Sequence, residues 1–123
     1  MNALRRKDAG AQGEDAALAY LQRCGLKLLE RNYRCKAGEI DLVMLDREVL
    51  ALIEVRYRSA TEFGGAAASV TPEKQRRLMH AAGFLILTRA DLRRYRIRFD
   101  VLAIDRSLAQ SNIEWIRDAF RGA

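Results

Sequence analysis

Residues 38–58 read GEIDLVMLDREVLALIEVRYR, two strongly apolar runs either side of the charged pair Arg47-Glu48. Runs rich in Val, Leu and Ile around a short polar interruption form a β-hairpin. Yet Glu39, Asp41, Glu54 and Arg56 sit inside these runs, and an ionised side chain in a buried strand needs a partner. With Arg47 and Glu48 as the two tip residues, Asp41 faces Glu54 and Glu39 faces Arg56 across the strands. Residues 39, 41, 54, 56 and 58 then share one face. Ile40, Leu42, Met44, Ala51, Ile53 and Val55 share the other, apolar throughout and assigned to the core. On the first face the polar residues gather at one end, away from Val43, Leu45, Leu50 and Leu52. Everything depends on the tip. Arg-Glu is a poor two-residue turn, and a three-residue tip would move Asp41 off this face.

Directly opposed residues on antiparallel strands have Cβ atoms roughly 5 Å apart. Two carboxylates that close repel unless a cation or a proton lies between them. An oxygen-preferring divalent ion, Mg²⁺ or Mn²⁺, fits such a pair and keeps waters for a phosphate substrate. Arg56 projects from the same face as Glu54, within reach of that phosphate, and Arg58 follows it. The plainer reading is a set of surface ion pairs, Glu39 with Arg56 and Asp41 with Arg58. Spacing does not separate the two.

The rest of the chain supplies a frame for this hairpin. Asp8 caps a helix through AGAQGEDAALAYLQRC, with Ala17, Leu18 and Leu21 as its apolar stripe and Gly25 as its stop. LKLLERNYR is a strand and CKAG a turn. Residues 59–70, centred on FGG, read as a mobile loop. Thr71-Pro72 opens a second helix, with an N-cap hydroxyl and Pro at the first position, ending near Arg89. YRIRFDVLAID alternates as a strand, Tyr95, Ile97 and Phe99 opposite Arg94, Arg96 and Arg98. NIEWIRDAF adds a short last strand. The order αβββαββ gives a single domain over 1–123, a mixed sheet with helices packed on it.

Composition narrows the partners. There are 22 Lys plus Arg against 16 Asp plus Glu, a net charge of +6, which favours a polyanion such as nucleic acid. MNALRRKDAG lacks the apolar segment of a signal peptide, and VLALI and AAGFLIL are too short to span a bilayer. Cys24 and Cys35 have no metal-ligand or CxxC spacing and read as reduced, partly buried thiols of a cytoplasmic protein.

GAQGEDAALAYLQRCGLKLLERNYRCKAGEIDLVMLD followed by ALIEVRYR resembles the YraN-like family of small bacterial proteins, with its G-x-x-G-E helix, R-N-y-r, G-E-I-D-L and E-V-K in order. The downstream FGGAAASVTPEKQRRL and RFDVLAI extend the resemblance over almost the whole chain. That family is similar to the restriction-endonuclease-like superfamily, related in outline to Holliday-junction resolvases. The resemblance implies an α/β fold with a mixed central sheet and a metal-dependent phosphodiesterase site acting on DNA. It assigns Asp41 and Glu54 to a Mg²⁺ or Mn²⁺ ion, with the Val55 backbone carbonyl as a further ligand and Glu14 as an additional acidic group. Glu39 has no assigned role there. The departure is Arg56, where the family has Lys. Lysine can give up a proton to help activate water and arginine cannot. Arg56 can still stabilise charge on a phosphate.

Lys74 and Gln75 lie at a helix N-terminus, where free amides attract phosphate. With Arg58 they are read as substrate contacts, Lys74 matching a family lysine. Arg76 and Arg77 extend that surface or form a solvated run. Arg94, Arg96 and Arg98 read as a phosphate-contacting stripe or as a solvated sheet edge. His80 belongs to a helix surface or to packing, and Trp115 and Phe120 to the core or a dimer contact. Three functions stay open: a metal-dependent nuclease, a nucleic-acid-binding module that has lost its chemistry, and an interaction subunit of a DNA-processing assembly. A resolvase-like role favours a symmetric homodimer.

Overall fold

A computed structural model describes residues 2–58, 70–105 and 113–121, with side chains from Gly13 onward except those of Arg58 and Asp105. Helix α1 (Asn2–Arg23) is followed by strands β1 (Lys27–Cys35), β2 (Gly38–Asp46) and β3 (Val49–Arg58). Helix α2 (Pro72–Thr88), a 3₁₀ turn (Ala90–Leu92), β4 (Arg96–Asp105) and β5 (Ile113–Phe120) follow among the described residues. The strands form one sheet in the order β1-β2-β3-β4-β5. Only β3 and β4 run parallel, and α2 lies on the connection between them, as a parallel pair requires. This is the expected mixed α/β sheet. Among the described residues no helix is long and apolar enough to cross a membrane.

The helix ends follow from local chemistry. Gly25, at φ +97°, turns α1 off in the left-handed region, and the Leu26 amide donates back to the Leu21 carbonyl at 3.1 Å. Asp8 is not the N-cap. The helix already runs from Asn2, because Ala3, Leu4, Arg5, Arg6 and Lys7 are helix formers with no breaker among them. Thr71 caps α2 as expected, accepting from the Lys74 amide at 3.2 Å, with Pro72 at the first position. Most of the Ser59–Val70 segment lies outside the described residues. Val70 itself is buried.

The hairpin tip is the two-residue turn Arg47-Glu48, giving the expected register of Asp46↔Val49 through Leu42↔Ile53. Arg47 reaches it by adopting φ +59°, a left-handed conformation rare for a residue with a side chain. One expectation about the faces fails. Leu42, Met44, Ala51, Ile53 and Val55 pack with Ala17 and Leu21 under α1. Ile40 instead joins Val43, Leu50 and Leu52 against Leu78, Ala81, Ala82 and Leu85 of α2. Both faces of the hairpin are therefore core, which is why its strands read as near-continuous apolar runs. The change of side between Ile40 and Leu42 places the irregularity at Asp41.

Strand β4 pairs β3 from Arg96 onward but β5 only from Phe99 to Ile104, so Arg96 and Arg98 border the sheet on the β5 side. On its α1 side Asp100, 1% exposed, accepts from Arg98 Nε at 2.8 Å, Arg98 Nη2 at 2.9 Å, Trp115 Nε1 at 3.0 Å and the Asp118 amide at 3.0 Å. Phe120 stacks on Phe99, ring centroids 5.1 Å apart, on the other side. Cys24 is exposed rather than partly buried, because it follows the last turn of α1. Cys35 is half-buried, and both thiols are free.

Removing one partner from a buried charge network leaves the others uncompensated. Asp100→Ala is expected to cost about 3–5 kcal/mol in urea unfolding, whereas Arg94→Ala, at an exposed position, should stay within about 0.5 kcal/mol of wild type.

Candidate acidic site

The β2–β3 ladder stops at Leu42↔Ile53, although β2 begins at Gly38 and β3 continues to Arg58. At the next step Asp41 Oδ2 accepts from the Val55 amide at 2.8 Å. A side-chain carboxylate thus takes the place of the strand carbonyl that would have met that amide. The strands part there into a fork. Glu54 lies in its mouth on the α2 side, 6% exposed.

The Asp41 and Glu54 carboxyls are hydrogen-bonded to each other. Burial first and then the neighbouring Asp41 charge push the Glu54 carboxyl up to about 8, against the pull of Lys74 and Arg56. Asp41 is also raised, by burial first, with the Val55 amide and the Glu54 bond opposing. Both carboxyls are thus biased toward their neutral forms, because burial and mutual repulsion oppose holding two negative charges so close.

Lys74, from the first turn of α2, brings Nζ to 3.9 Å from Glu54 Oε2. That distance gives attraction without a hydrogen bond, and Oε2 is buried with no donor. A buried carboxylate oxygen left unsatisfied is costly unless something fills the position. The donors here are all hard oxygens, and two carboxylates with waters and substrate phosphates are a sufficient set for Mg²⁺ or Mn²⁺. The residues fit such an ion. Among the described residues no three His, Cys, Asp or Glu are gathered tightly enough to form a dedicated metal cage.

Glu14 stands nearby on α1. Its pKa is raised by burial and then by the Asp41 charge, with Arg31 opposing. With its amide assigned so that the nitrogen faces the two acids, Asn32 donates to Glu14 Oε1 at 2.7 Å and to Glu39 Oε1 at 3.0 Å, tying them together. Asn32 sits at φ +53°, a conformation asparagine tolerates better than most residues. Glu39 does not face Arg56 as expected, because the ladder has ended. Its cation is Arg34 at 3.7 Å, while Arg31 meets Asp15 at 2.7 Å. The R-N-y-r motif is therefore a clamp on the acids of α1 and β2, a role the sequence did not reveal. Gly13 has a role of the same kind. A Cβ on it would fall 1.3 Å from Tyr57 Oη, so with any other residue there the Tyr57 ring would have to move from its place between α1 and β3.

The remaining candidates are less uniform. Arg56 is half-buried on the Glu54 side of β3, close enough to lower the Glu54 pKa. Gln75 Nε2 donates to the Val70 carbonyl at 3.0 Å, which fixes the entry to α2 rather than presenting that group to a ligand. Arg58 ends β3, its side chain outside the described residues. Val55 contributes its amide to Asp41, a function distinct from the carbonyl role expected of it. Arg77 pairs with Glu73 at 2.6 Å, and His80 is exposed on α2.

Residues 13–104 match the model of the Uncharacterised protein family UPF0102. A UPF0102 protein of Ralstonia pickettii is 56% identical over 116 residues, covering 90% of this chain and 88% of the relative. One from Herminiimonas arsenicoxydans is 51% identical over 118 residues, covering 93% and 87%. Another from Nitrosococcus oceani is 47% identical over 121 residues, covering 98% of each.

A carboxyl whose folded pKa lies near 8 against an ordinary 4.5 holds its proton more tightly folded than unfolded. Its contribution is complete below pH 4.5 and is lost as pH rises through 8, at up to about 1.4 kcal/mol per pH unit. Metal-free protein should therefore lose stability across that window in urea titrations. Glu54→Gln should flatten the loss, and Mn²⁺ should raise the melting temperature of wild type at pH 8 more than that of Asp41→Asn.

Proposed function

The chain belongs to the uncharacterised protein family UPF0102, the YraN-like family, and we propose that it is a metal-dependent, nuclease-like protein acting on DNA phosphodiester bonds in the cytoplasm. What supports this reading above all is the buried Asp41–Glu54 pair with its unsatisfied Glu54 oxygen. A carboxylate kept for stability is saturated with donors, as Asp100 is. Glu54 is kept short of them.

Asp41 and Glu54 would hold Mg²⁺ or Mn²⁺, with Glu14 and the Val55 carbonyl as further oxygen donors, and the ion would supply an acidified water and a polarised phosphate. The Val55 amide fixes one Asp41 oxygen, so the carboxylate is oriented before any ligand arrives. Lys74 would meet a phosphate oxygen from the helix N-terminus. Arg56 would stabilise charge developing on that phosphate, replacing the lysine of the E-x-K pattern. A symmetric dimer would offer two such sites to a branched substrate.

A binding module without chemistry is the second reading, and Arg56 is the observation that favours it. Its guanidinium does not deprotonate in water, so it cannot act as the base a lysine can become. The two readings separate on a panel of labelled linear, nicked and branched DNA incubated with Mn²⁺. Under the nuclease reading wild type cleaves at least one structure, and the Asp41→Asn/Glu54→Gln double variant does not. Arg56→Lys should keep or increase the rate, and Arg56→Ala should lose on the order of 100- to 1000-fold. Wild type and Arg56→Lys both inert with Mn²⁺ bound and the fold intact would hand the site to the binding module.

A further inference from the structure

The sheet face under α1 is apolar only as far as the helix covers it. Leu42, Met44, Ala51, Ile53, Leu102 and Ile104 lie beneath α1. Beyond its end at Cys24-Gly25 the same strands turn charged, and an open groove of about 1510 Å³ begins. Arg47 comes from the hairpin tip, Arg94 from the turn before β4, Arg96 from the first position of β4, and Arg117 from β5. Val49, which pairs with Arg96, is five residues from Glu54, roughly 16 Å along β3. By strand alternation the groove also opens on the face opposite Glu54.

The charge in this groove is not balanced from within. Asp46 and Glu48 are its acids, and Asp46 is spent on Arg98 at 2.9 Å. Arg98 is in turn fixed by Asp100 at 2.8 Å, so it forms a neutralised floor. Arg47, Arg94, Arg96 and Arg117 are exposed, and none is within ion-pair distance of a carboxylate among the described residues. Asp118, whose charge is felt by Arg96, is itself engaged by Arg121. Two of the four arginines lie over aromatic rings, Arg117 at 4.0 Å from the Trp115 centroid and Arg94 at 4.8 Å from that of Tyr95. A guanidinium over a ring keeps its donors for a ligand, as Arg117 does over Trp115, whereas Arg94 spends one Nη2 donor on the Tyr95 hydroxyl at 2.6 Å and keeps the rest. Alternate residues of β4 are about 6.6 Å apart, comparable with successive phosphates along a nucleic-acid strand.

We propose that this groove binds the phosphate backbone of a nucleic-acid strand, as a second contact separate from the acidic pair. Exposed arginines outside ion-pair distance of a carboxylate, two of them seated on rings, suit a strand with both phosphates and base planes. An acidic protein would present carboxylates without planes to stack. The groove needs neither metal nor cleavage, so its test is independent of the nuclease reading.

The experiment measures binding of a fluorescent single-stranded oligodeoxynucleotide in EDTA across a salt series. Wild type should bind with an affinity that falls steeply with salt. Arg47→Asn/Arg96→Gln/Arg117→Gln should bind on the order of tenfold or more weakly, its log–log salt slope shallower by about 2 for three lost phosphate contacts. Arg47→Asn/Arg94→Gln, which leaves the Trp115 stack untouched, should show the same direction if the triple variant folds poorly. Asp41→Asn/Glu54→Gln should bind at least as well as wild type. Equal binding by wild type and both groove variants would overturn the proposal, as would competition by polyglutamate as strong as that by unlabelled oligonucleotide at equal charge. Neither outcome would touch metal-dependent cleavage by the acidic pair, which is read separately.

Discussion

One hydrogen bond organises the functional end of this molecule, from the Val55 amide to the Asp41 carboxylate at 2.8 Å. A buried strand amide must be paired, and ordinarily the neighbouring strand supplies a carbonyl. Here the supply is a side chain, so β2 is released from the ladder while β3 continues alongside β4. The release lets Ile40 turn to the α2 side, draws Asp41 against Glu54 and leaves room between the strands. Strand pairing, core packing and acidic chemistry meet at one donor.

The two ends of the sheet treat buried carboxylates in opposite ways. Asp100 receives four hydrogen bonds, two from a guanidinium, and its burial is compensated. Glu54 has a lysine at 3.9 Å, a competing acid in contact and one oxygen with no donor. Simple burial does not distinguish them, at 1% and 6% exposure. Satisfaction does. The first arrangement holds β4 and β5 together through Trp115 and Asp118, and the second leaves a negative site short of positive charge. A domain of net charge +6 with many arginines could have supplied that charge from its own surface. It keeps the fork undersupplied instead, which is the physical argument for a ligand.

Much of this was legible in the sequence where a local rule decided the outcome. The hairpin register followed from period-two alternation about Arg47-Glu48, even though the turn needs a strained Arg47. The Thr71-Pro72 cap and the Gly25 stop are short-range chemistry and stood where the residues placed them. The failures share a different cause. Ile40 was assigned to the wrong face because alternation assumes an unbroken ladder, and a carboxylate replacing a carbonyl is a tertiary event. Glu39 lost its expected partner Arg56 for the same reason. Arg98 reads as one of three alternating arginines, and its ties to Asp46 and Asp100 depend on tertiary placement that alternation does not give. Asp100 passed unnoticed, since one acid in RFDVLAI looks like any other until its four donors arrive from distant positions. Gly13 and Asn32 were seen as motif letters, but their meaning needed Tyr57 on one side and two carboxylates on the other.

Helix α1 ties the two ends together. Its middle delivers Glu14 to the fork, at a height set by the Gly13–Tyr57 contact, and its apolar stripe of Ala17 and Leu21 seals the sheet beyond. The glycine at Gly25 then stops it before it reaches the charged part of the same face. Another turn of helix would lay side chains over Arg96 and Arg98, where the sheet offers no apolar surface to receive them. Hydrophobic burial thus sets where α1 sits, and the lack of anything to bury sets where it ends. The arginines left uncovered at that point are a consequence of the same rule that positions the acids: the helix covers what is apolar and leaves the charged groups at each end of the sheet to be met by something else.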